Sequence, residues 1–393
     1  MRHSDVLVAG GGPVGLAAAL LCAAQGLVVT VLEADAETAV RAGSRAIFVH
    51  GASVGALAKA DPDLAQRLSN RGLTWGGKHT LWAGRTVYRT SYPHPRCGTT
   101  PPFTCLSQRD LEAELRRACL EAGVRLAWRT PVESVTVGPG HVEVGSGHRA
   151  SFLIGADGAR STVRTAIGTR LAGTRSDASF IVVDLADDPA GPPGDRVFHY
   201  RHPAAGYRHV LTAPFRGGLR VDLQCRPTDD IAGLTADPTA WIAPLVPRGT
   251  PMEVTWVSHY RFHQAVADTF VDAGRRVLLA GEAAHLFAPF GARGLNSGIA
   301  DATAAAEAVA DGLTGTVTRA EAVTRYDTVR RAAALRNRDA SAQALHQLLG
   351  TDMSTRARQR AAAIAARFST ATGAWLDRIP YGPRDAGIPG SPY

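Results

Sequence analysis

Two glycine-rich segments, each directly before a predicted helix, contain residue types that could bind a phosphate and a group that becomes anionic. The first, Gly10-x-Gly12-x-x-Gly15, lies between an apolar run and a helical pattern, and Glu33 ends the next apolar run. These glycines permit a tight turn and the close approach of a pyrophosphate, while the acidic residue accepts hydrogen bonds from a ribose. A purely structural turn is the alternative, and the βαβ setting favours dinucleotide binding.

The other glycine-rich segment, which is the third motif in chain order, lies far along the chain in GEAAHLFAPFGARGLNSGIADA. The apolar run RRVLLAG predicts a buried strand that delivers Glu282, the Pro289–Gly294 segment predicts an irregular loop, and a helix is expected to begin near Leu295 or Asn296. Unpaired N–H groups and the positive end of a helix dipole stabilise a developing negative charge. A flavin ring develops such a charge on reduction, at its N1–C2=O edge.

The second motif in chain order, IGADGARSTVR, follows an apolar strand. Asp157 and Gly158 form its turn, and Ser161 can cap a helix. A carboxylate there can order the chain or receive a hydroxyl group, and Arg160 and Arg164 offer partners to phosphate. The open alternative is a plain strand, turn and helix with solvated arginines.

No metal site is expected. The cysteines at positions 22, 97, 105, 119 and 225 show no metal-ligand spacing and no disulfide pattern, which fits a reducing cytoplasm. His285 is either a catalytic base or a packed structural histidine, because the sequence shows no partner carboxylate for it.

The composition bounds the class of protein. The 393 residues exceed what one core normally serves, and 45% apolar and 20% charged residues are ordinary for a globular chain. The net charge of +8 comes from dispersed arginines, so a basic surface is favoured over a nucleic-acid partner. Val6–Ala24 is nearly uncharged, but its glycines and Pro13 indicate strand, turn and helix in place of a membrane anchor.

The pattern of elements predicts an α/β protein. Asp5–Ala9 and Val28–Glu33 indicate buried parallel strands around the first helix, and Ser107 predicts a capped helix with Asp110 as the capping-box partner. Short strands are expected between residues 124 and 156. A second, antiparallel sheet is expected from four further runs, namely Phe180–Asp184, Val197–Arg201, Arg208–Thr212 and Leu219–Cys225.

Taken in order and spacing, the three motifs resemble the fingerprint, DG and GD motifs of the class A flavin-dependent monooxygenases, the aromatic hydroxylases typified by para-hydroxybenzoate hydroxylase. The resemblance covers residues 4 to about 310. It implies a Rossmann-like, three-layer ββα FAD-binding domain interleaved with an antiparallel-sheet substrate domain and followed by C-terminal helices. It also implies FAD as cofactor, NADPH or NADH as reductant and O2 as co-substrate, with oxygen transferred through a flavin C4a-hydroperoxide.

The resemblance also implies residue roles. Pyrophosphate, ribose and ring contacts to FAD would come from Gly10, Gly12, Pro13, Val14, Gly15, Glu33, Ala34, Arg45, Gln108, Val132, Asp157, Gly158, Arg160, Arg164, Glu282, Gly291, Ala292, Gly294, Leu295 and Asn296.

This sequence departs from the family pattern in the third motif. Glu282 stands where the family has Asp, one methylene longer, and Ala288-Pro289-Phe290 lacks the usual second proline. Arg293 replaces a residue of the common GGQG, so Pro289 and Arg293 are expected at the oxygenation pocket, with Arg293 close to the ring or at the pocket mouth.

The expected FAD-binding domain is discontinuous. It comprises residues 1–74, 100–174 and 271–330, and the substrate domain comprises residues 75–99 and 175–270. Residues 331–393 are expected to form a helical segment and tail without the thioredoxin-like domain of larger members.

Substrate-pocket candidates lie on the expected antiparallel sheet. Alternation places Arg220, Asp222 and Gln224 on one face, which either lines the pocket or faces solvent. Tyr200 and His209 are similar candidates.

The expected function is hydroxylation, epoxidation or Baeyer-Villiger oxidation of an aromatic or polyketide-like small molecule. Two alternatives stay open: a FAD-binding protein without oxygenase activity, in a cyclase-like, accessory or sensor role, and a flavin halogenase, although the WxWxIP stretch of halogenases is absent.

Overall fold

The computed structural model describes residues 4–39, 46–92, 101–145, 147–186 and 194–383. Its strands are, in chain order, β1 (Ser4–Ala9), β2 (Val29–Leu32), β3 (Ile47–His50), β4 (Gly77–Trp82), β5 (Arg85–Ser91), β6 (Phe103–Leu106), β7 (Arg125–Ala127), β8 (Val135–Val137), β9 (Val142–Val144), β10 (His148–Gly155), β11 (Leu171–Ala186), β12 (Arg196–His202), β13 (Arg208–Phe215), β14 (Gly218–Gln224), β15 (Val254–Ala267), β16 (Val277–Leu279) and β17 (His285–Leu286).

The helices of the same ranges are α1 (Pro13–Ala23), α2 (Gly51–Ala58), α3 (Pro62–Arg71), α4 (Gln108–Glu121), α5 (Thr162–Ala166), α6 (Ile231–Ala236), α7 (Thr239–Ile242), α8 (Arg293–Thr314), α9 (Arg319–Leu349), α10 (Met353–Ala365) and α11 (Thr370–Arg378). Short 3₁₀ turns lie at Pro203–Ala205, Gly281–Ala283 and Ile379–Tyr381. In these ranges, none of the helices combines the length and the apolar character that a membrane crossing requires.

The first sheet has the order β7-β2-β1-β10-β9-β8, and β16 also pairs with β10. The pairs β1–β2, β1–β10 and β10–β16 are parallel, so the carboxyl ends of β1, β10 and β16 meet at one edge. These strands are continuous apolar runs because helices cover the sheet. The helix α1 packs against α8 and α4 in the same hydrophobic core. Ligands of open α/β sheets bind outside such carboxyl ends.

The second sheet has the order β17-β15-β11-β14-β13-β12-β4-β5. It confirms the four strands expected after Phe180, but it is not purely antiparallel, because β12 pairs in parallel with β4. The long strand β15, which the sequence analysis missed, pairs with β11 from Leu171 to Leu185. The helix expected near Leu295 begins earlier, at Arg293. The division into domains stays a prediction, although the two sheets exchange chain segments as an interleaved architecture requires.

The two faces of the second sheet bury different elements. One face carries Ile181, Val183, Leu185 and their cross-strand partners, and it packs against residues of α6 and α7. Phe180, Val182 and Asp184 alternate onto the opposite face. There Phe180 packs in a cluster with residues of α9, α10 and α11 and with Phe290. This second face is called the inner face below, because it is turned towards the loop that precedes α8.

Candidate functional site

The N-terminal glycines form a cradle that larger residues could not. Gly10 has a φ of +97°, and a Cβ there would lie 2.5 Å from the carbonyl oxygen of Ala156. A Cβ on Gly15 would lie 1.9 Å from the carbonyl oxygen of Gly10. The helix α1 begins with Pro13 at its first turn, and none of the described side chains caps it. Its N-terminal N–H groups and dipole therefore suit an anionic ligand such as a pyrophosphate.

Glu33 lies at the place expected for a ribose contact. It is buried at the end of β2, and its two carboxylate oxygens accept hydrogen bonds from the backbone N–H groups of Gly11, at 2.6 Å, and Asp35, at 2.8 Å. These bonds fix the carboxylate beside the glycine turn.

The third motif touches the first. The side chain of Val14, in the first turn of α1, fills the space beside two glycines of the distant segment: a Cβ on Gly281 would lie 3.0 Å from Val14, and one on Gly298 would lie 2.5 Å from it. Ala156 of the second motif adjoins Gly10, and its N–H donates to the carbonyl of Ala9. All three motifs therefore meet at the carboxyl edge of the parallel sheet.

The DG segment orders its own helix. One carboxylate oxygen of Asp157 accepts from the Ser161 hydroxyl at 2.5 Å, and the other accepts from the Val163 N–H at 3.0 Å. Arg164 donates to the carbonyl of Ala283, beside Glu282, and burial lowers its pKa. Arg160 is exposed. Asp157 therefore orders the start of the helix that follows it. Arg164 links this motif to the third, and the roles of both residues towards FAD stay predictions.

The helix α8 begins at the same sheet edge, and the region between the N-termini of α1 and α8 is called the recess below. Its N-cap, Ala292, has a φ of +52°, and no side chain of the described residues caps the helix. Asn296, in the first turn, donates to the carbonyl oxygens of Phe48 and Ala292 and accepts from the His50 N–H and the Ser53 hydroxyl. All the hydrogen-bonding positions of its amide are used within the protein. Asn296 therefore fixes α8 to β3 and α2.

A buried charge network supports the turn at Glu282. His285 Nε2 lies 2.7 Å from Asp301 Oδ2, Arg330 Nε donates to Asp301 Oδ1 at 2.7 Å, and the Gly281 N–H also reaches Asp301. Burial alone would raise the pKa of Asp301, but Arg330 and His285 lower it. The partner carboxylate of His285 that the sequence did not reveal is thus Asp301 of α8.

Glu282, Pro289 and Arg293 of the third motif differ in burial. Glu282 is exposed, yet enough protein surrounds it that burial raises its pKa, with a smaller opposing effect from His285. Pro289 is exposed as well. Arg293 is buried, and its guanidinium donates to the Asn337 side chain and to the carbonyl oxygens of Tyr381 and Pro383.

A guanidinium held by three oxygen acceptors of α9 and the C-terminal segment fixes the loop that precedes α8 from one side. The expectation that Arg293 lies close to the ring or at the pocket mouth stays a prediction. The expectation relied on the position of Arg293 in the motif, and the first residue of a helix can point to either side of that helix.

Two of the pocket candidates, Tyr200 and His209, are bonded to the C-terminal helices, and the role of a third, Gln224, stays a prediction. The Tyr200 hydroxyl donates to the Leu376 carbonyl at 2.7 Å, and His209 Nε2 lies 3.0 Å from the Leu348 carbonyl. Both side chains are buried under the C-terminal helices, and burial lowers the pKa of His209 to about 4. Gln224 accepts from the His209 N–H. Tyr200 and His209 therefore hold the sheet to its covering helices, and the Gln224 bond lies within the sheet.

Arg220 lies on the inner face, as the alternation predicted. Its guanidinium donates to both carboxylate oxygens of Asp184, at 2.9 and 3.0 Å, and to the carbonyl of Ala46. It also lies 5.6 Å from the ring of Trp256. Its neighbour Asp222 stands 3.8 Å from Arg220 Nε and receives none of these bonds.

The remaining expected cofactor residues have the following positions. Gln108 begins α4 and donates to Glu112 at 2.9 Å. Ala34 is exposed directly after Glu33, and Val132 is half-buried after β7. Arg45 lies outside the described residues. The roles of these residues towards FAD stay predictions.

Comparison with known proteins gives the family. The model of the FAD binding domain family matches residues 3–341, so the chain belongs to this family. The resemblance inferred from the three motifs is thereby confirmed, and so is the α/β fold that it implied.

Curated relatives have names that describe hydroxylation. The chain is 29% identical over 326 residues to 3-(3-hydroxy-phenyl)propionate/3-hydroxycinnamic acid hydroxylase of Mycobacterium avium, covering 77% of this chain and 54% of the relative. It is 30% identical over 331 residues to 6-methylpretetramide 4-monooxygenase of Streptomyces rimosus, covering 79% of this chain and 56% of the relative. The chain thus spans about half the length of these relatives.

A solved structure shares the fold over nearly all of both chains. The crystal structure of p-nitrophenol 4-monooxygenase from Pseudomonas putida superposes with a TM-score of 0.78 and 24% identity. The alignment covers 98% of this chain and 100% of that chain. Because the sequence identity is only 24%, this structural similarity supports a shared fold and nothing further.

Proposed function

We propose that this chain is a FAD-dependent monooxygenase that consumes NADPH or NADH and oxidises an aromatic or polyketide-like small molecule. The observation that carries the proposal is the contact of Val14 with Gly281 and Gly298. It joins the glycine cradle of α1 to the segment that leads into α8, so two uncapped helix N-termini border one recess. A single extended ligand with an anionic middle and an electron-accepting end suits such a recess.

The residues present fit FAD. Gly10 and Gly15 leave backbone space that any Cβ would fill, and the buried Glu33 carboxylate is held beside the glycine turn, where the adenosine ribose would lie. Glu282 offers a carboxylate at the recess for a hydroxyl-rich linker, and the backbone of residues 291–294 leads into and begins α8. The buried network of Asp301 with His285 and Arg330 holds the Glu282 turn in place.

FAD, once reduced by NADPH or NADH, supplies the oxygen-activating chemistry. The protein's own tasks are to bind, orient and shield. The inner face of the second sheet forms one wall next to the loop of Pro289 and Phe290, where Phe290 contacts Phe180 and Phe262 at centroid distances of 6.1 and 5.5 Å. Such a wall orients a planar substrate and excludes water.

The substrate class rests on the names of the relatives and on this aromatic wall. Both relatives named above act on ring-bearing molecules by their names, one on a hydroxyphenyl acid and one on a polycyclic pretetramide. We assign this chain to the same broad class, in the cytoplasm, where NADPH and NADH are supplied. Hydroxylation, epoxidation and Baeyer-Villiger oxidation remain three outcomes of one proposal.

The test is a reduction and oxygenation assay on the FAD-loaded protein. Under anaerobic conditions, NADPH or NADH should bleach the flavin, and a phenolic substrate should accelerate the bleaching. After addition of isotopically labelled O2, mass spectrometry should find one labelled oxygen atom in the product. A protein that retains FAD but is not reduced by either nicotinamide, or that releases only hydrogen peroxide with every phenol tested, would refute the oxygenase proposal and support a FAD-binding role without oxygenation.

A further inference from the structure

Asp222 lies on the inner face close to the loop that precedes α8. It stands opposite Val182 on β11, and Phe180 is the next residue of β11 on that face. Asp222 and Phe180 are therefore diagonal neighbours about 7–8 Å apart. The Phe180 ring contacts Phe290, two residues before Ala292, the N-cap of α8. Asp222 and the loop that precedes α8 therefore both adjoin Phe180 on the inner face, and the proposed function gives the flavin to the helix end that follows this loop.

The carboxylate of Asp222 lacks a hydrogen bond from any described residue. Its Oδ1 is buried without a hydrogen-bond partner. The guanidinium of Arg220 is 3.8 Å away, beyond hydrogen-bonding distance, and is bonded to both oxygens of Asp184. The side chain of Asp222 keeps 19% of its surface exposed. Buried carboxylates are normally hydrogen-bonded, so this one is suited to a donor brought by a ligand.

The side chains around Asp222 indicate the chemical class of that ligand. Trp256, Ser258 and Tyr260 lie on the inner face of β15, opposite Asp184, Val182 and Phe180 in turn. The Tyr260 side chain is 41% exposed, and Arg220 lies over the Trp256 ring. Aromatic surfaces with one acceptor fit a planar ring that carries a hydroxyl or amino group. A carboxylate-bearing end of a ligand would be repelled from the same position.

We infer that Asp222 accepts the hydroxyl hydrogen of a phenolic substrate and then takes its proton. The O–H bond of the phenol breaks, its electron pair stays on the phenolate oxygen, and the proton becomes bonded to the Asp222 carboxylate. The phenolate ring is more electron-rich and hence more readily oxygenated. This inference rests on the proposed function, because it names the substrate class and the proton acceptor of the same site.

The charges around Asp222 support this role. Burial raises the pKa of Asp222 to about 6, Arg220 and Arg196 lower it, and Asp184 raises it. Burial also raises the pKa of Tyr260, which lies on the same face of the sheet two strands from Asp222. At pH 7 to 8 the carboxylate is still ionised, and it is a stronger base than an ordinary aspartate. General bases work best when their pKa is near the working pH.

The experiment measures the preference for a phenol over its methyl ether. FAD-loaded wild type, Asp222→Asn and Asp195→Asn are titrated with 1-naphthol and 1-methoxynaphthalene, and with 3-methylphenol and 3-methylanisole, while the flavin absorbance reports binding. Asp195 is a matched control, since it makes the same charge change near the other end of the sheet, where it contacts His79 at 2.9 Å.

Wild type and Asp195→Asn should bind each phenol about 10- to 100-fold more tightly than its ether, as expected for a hydrogen bond to a charged acceptor. Asp222→Asn should lose most of this preference. In wild type the preference should also fall as the pH drops below about 6, and in Asp222→Asn it should not change with pH. The wild-type pH profile needs no variant and tests the inference on its own.

Equal binding of phenol and ether by wild type, an unchanged preference in Asp222→Asn, or no response to either phenol would overturn the inference. These outcomes are distinguishable from a failure of the proposed function. Flavin retention and reduction by NADPH or NADH are measured on the same samples without any phenol, and neither depends on Asp222.

Discussion

Replacing Asp222 by Asn should stabilise the protein above neutral pH. The structure keeps this carboxylate largely buried on the inner face, 3.8 Å from Arg220 and without a hydrogen bond from any described residue. Burial therefore raises its pKa from 3.8 to about 6. A carboxyl group whose pKa is raised on folding binds its proton more tightly in the folded chain. Its contribution to stability is fully present below pH 3.8 and is lost as the pH rises through about 6.

The size of the effect follows from that shift. One pKa unit corresponds to about 1.4 kcal/mol, so the ionised carboxylate opposes folding by up to about 3 kcal/mol at pH 8. At pH 5 about half of this cost is already present. Asn has the shape of Asp but does not ionise, so its advantage over wild type should grow by about 1–1.5 kcal/mol between pH 5 and pH 8.

The assay is chemical unfolding of the FAD-saturated proteins at both pH values. Comparing the difference at pH 8 with the difference at pH 5 removes every effect of the substitution that does not depend on pH. Asp195→Asn is the control for general charge effects. A stability difference between Asp222→Asn and wild type that is the same at both pH values, or that favours wild type at pH 8, would show that the carboxylate is not desolvated as described.

Three further substitutions test other parts of the site. Glu33→Ala should weaken FAD retention, by about 0.5–1.5 kcal/mol for each lost hydrogen bond, and full flavin occupancy with unchanged affinity would place the ribose elsewhere. Asp301→Asn leaves the buried charge of Arg330 unpaired, so unfolding should become easier by about 3–5 kcal/mol, and an unchanged midpoint of denaturation would contradict the network. Tyr200→Phe removes the bond to the Leu376 carbonyl and should cost about 1 kcal/mol of stability while substrate affinity stays the same; a changed affinity would return Tyr200 to the pocket.

The sequence predicted the parts of the fold that depend on local patterns. Gly10 and Gly15 need backbone space that no other residue leaves, and apolar runs such as Val277–Leu279 are short and continuous because helices cover the parallel sheet. The Ser107 cap is confirmed by its bond from the Asp110 N–H at 3.0 Å. These features were readable because the constraint and the residue that meets it lie within a few positions of each other.

The sequence could not predict contacts made between distant segments. The direction of the Arg293 side chain depends on Asn337 and on the carbonyl oxygens of Tyr381 and Pro383, and no local pattern encodes these acceptors. The partner of His285 lies on the next helix. Strand β15 was missed although its residues alternate, because it continues without a turn through polar and charged residues such as His259 and Arg261.

The inner face of the second sheet shows how burial separates packing residues from a recognition residue. Tyr200 and His209 each contact a carbonyl oxygen of a covering helix, so their polar atoms are satisfied before any ligand arrives. Arg220 is likewise satisfied by Asp184. Asp222 stands on the same face, and the part of the chain described here gives it no donor. A buried group that the fold leaves without a hydrogen bond destabilises the protein unless a ligand supplies the bond. The stability gain and the loss of phenol preference expected for Asp222→Asn therefore have one physical cause.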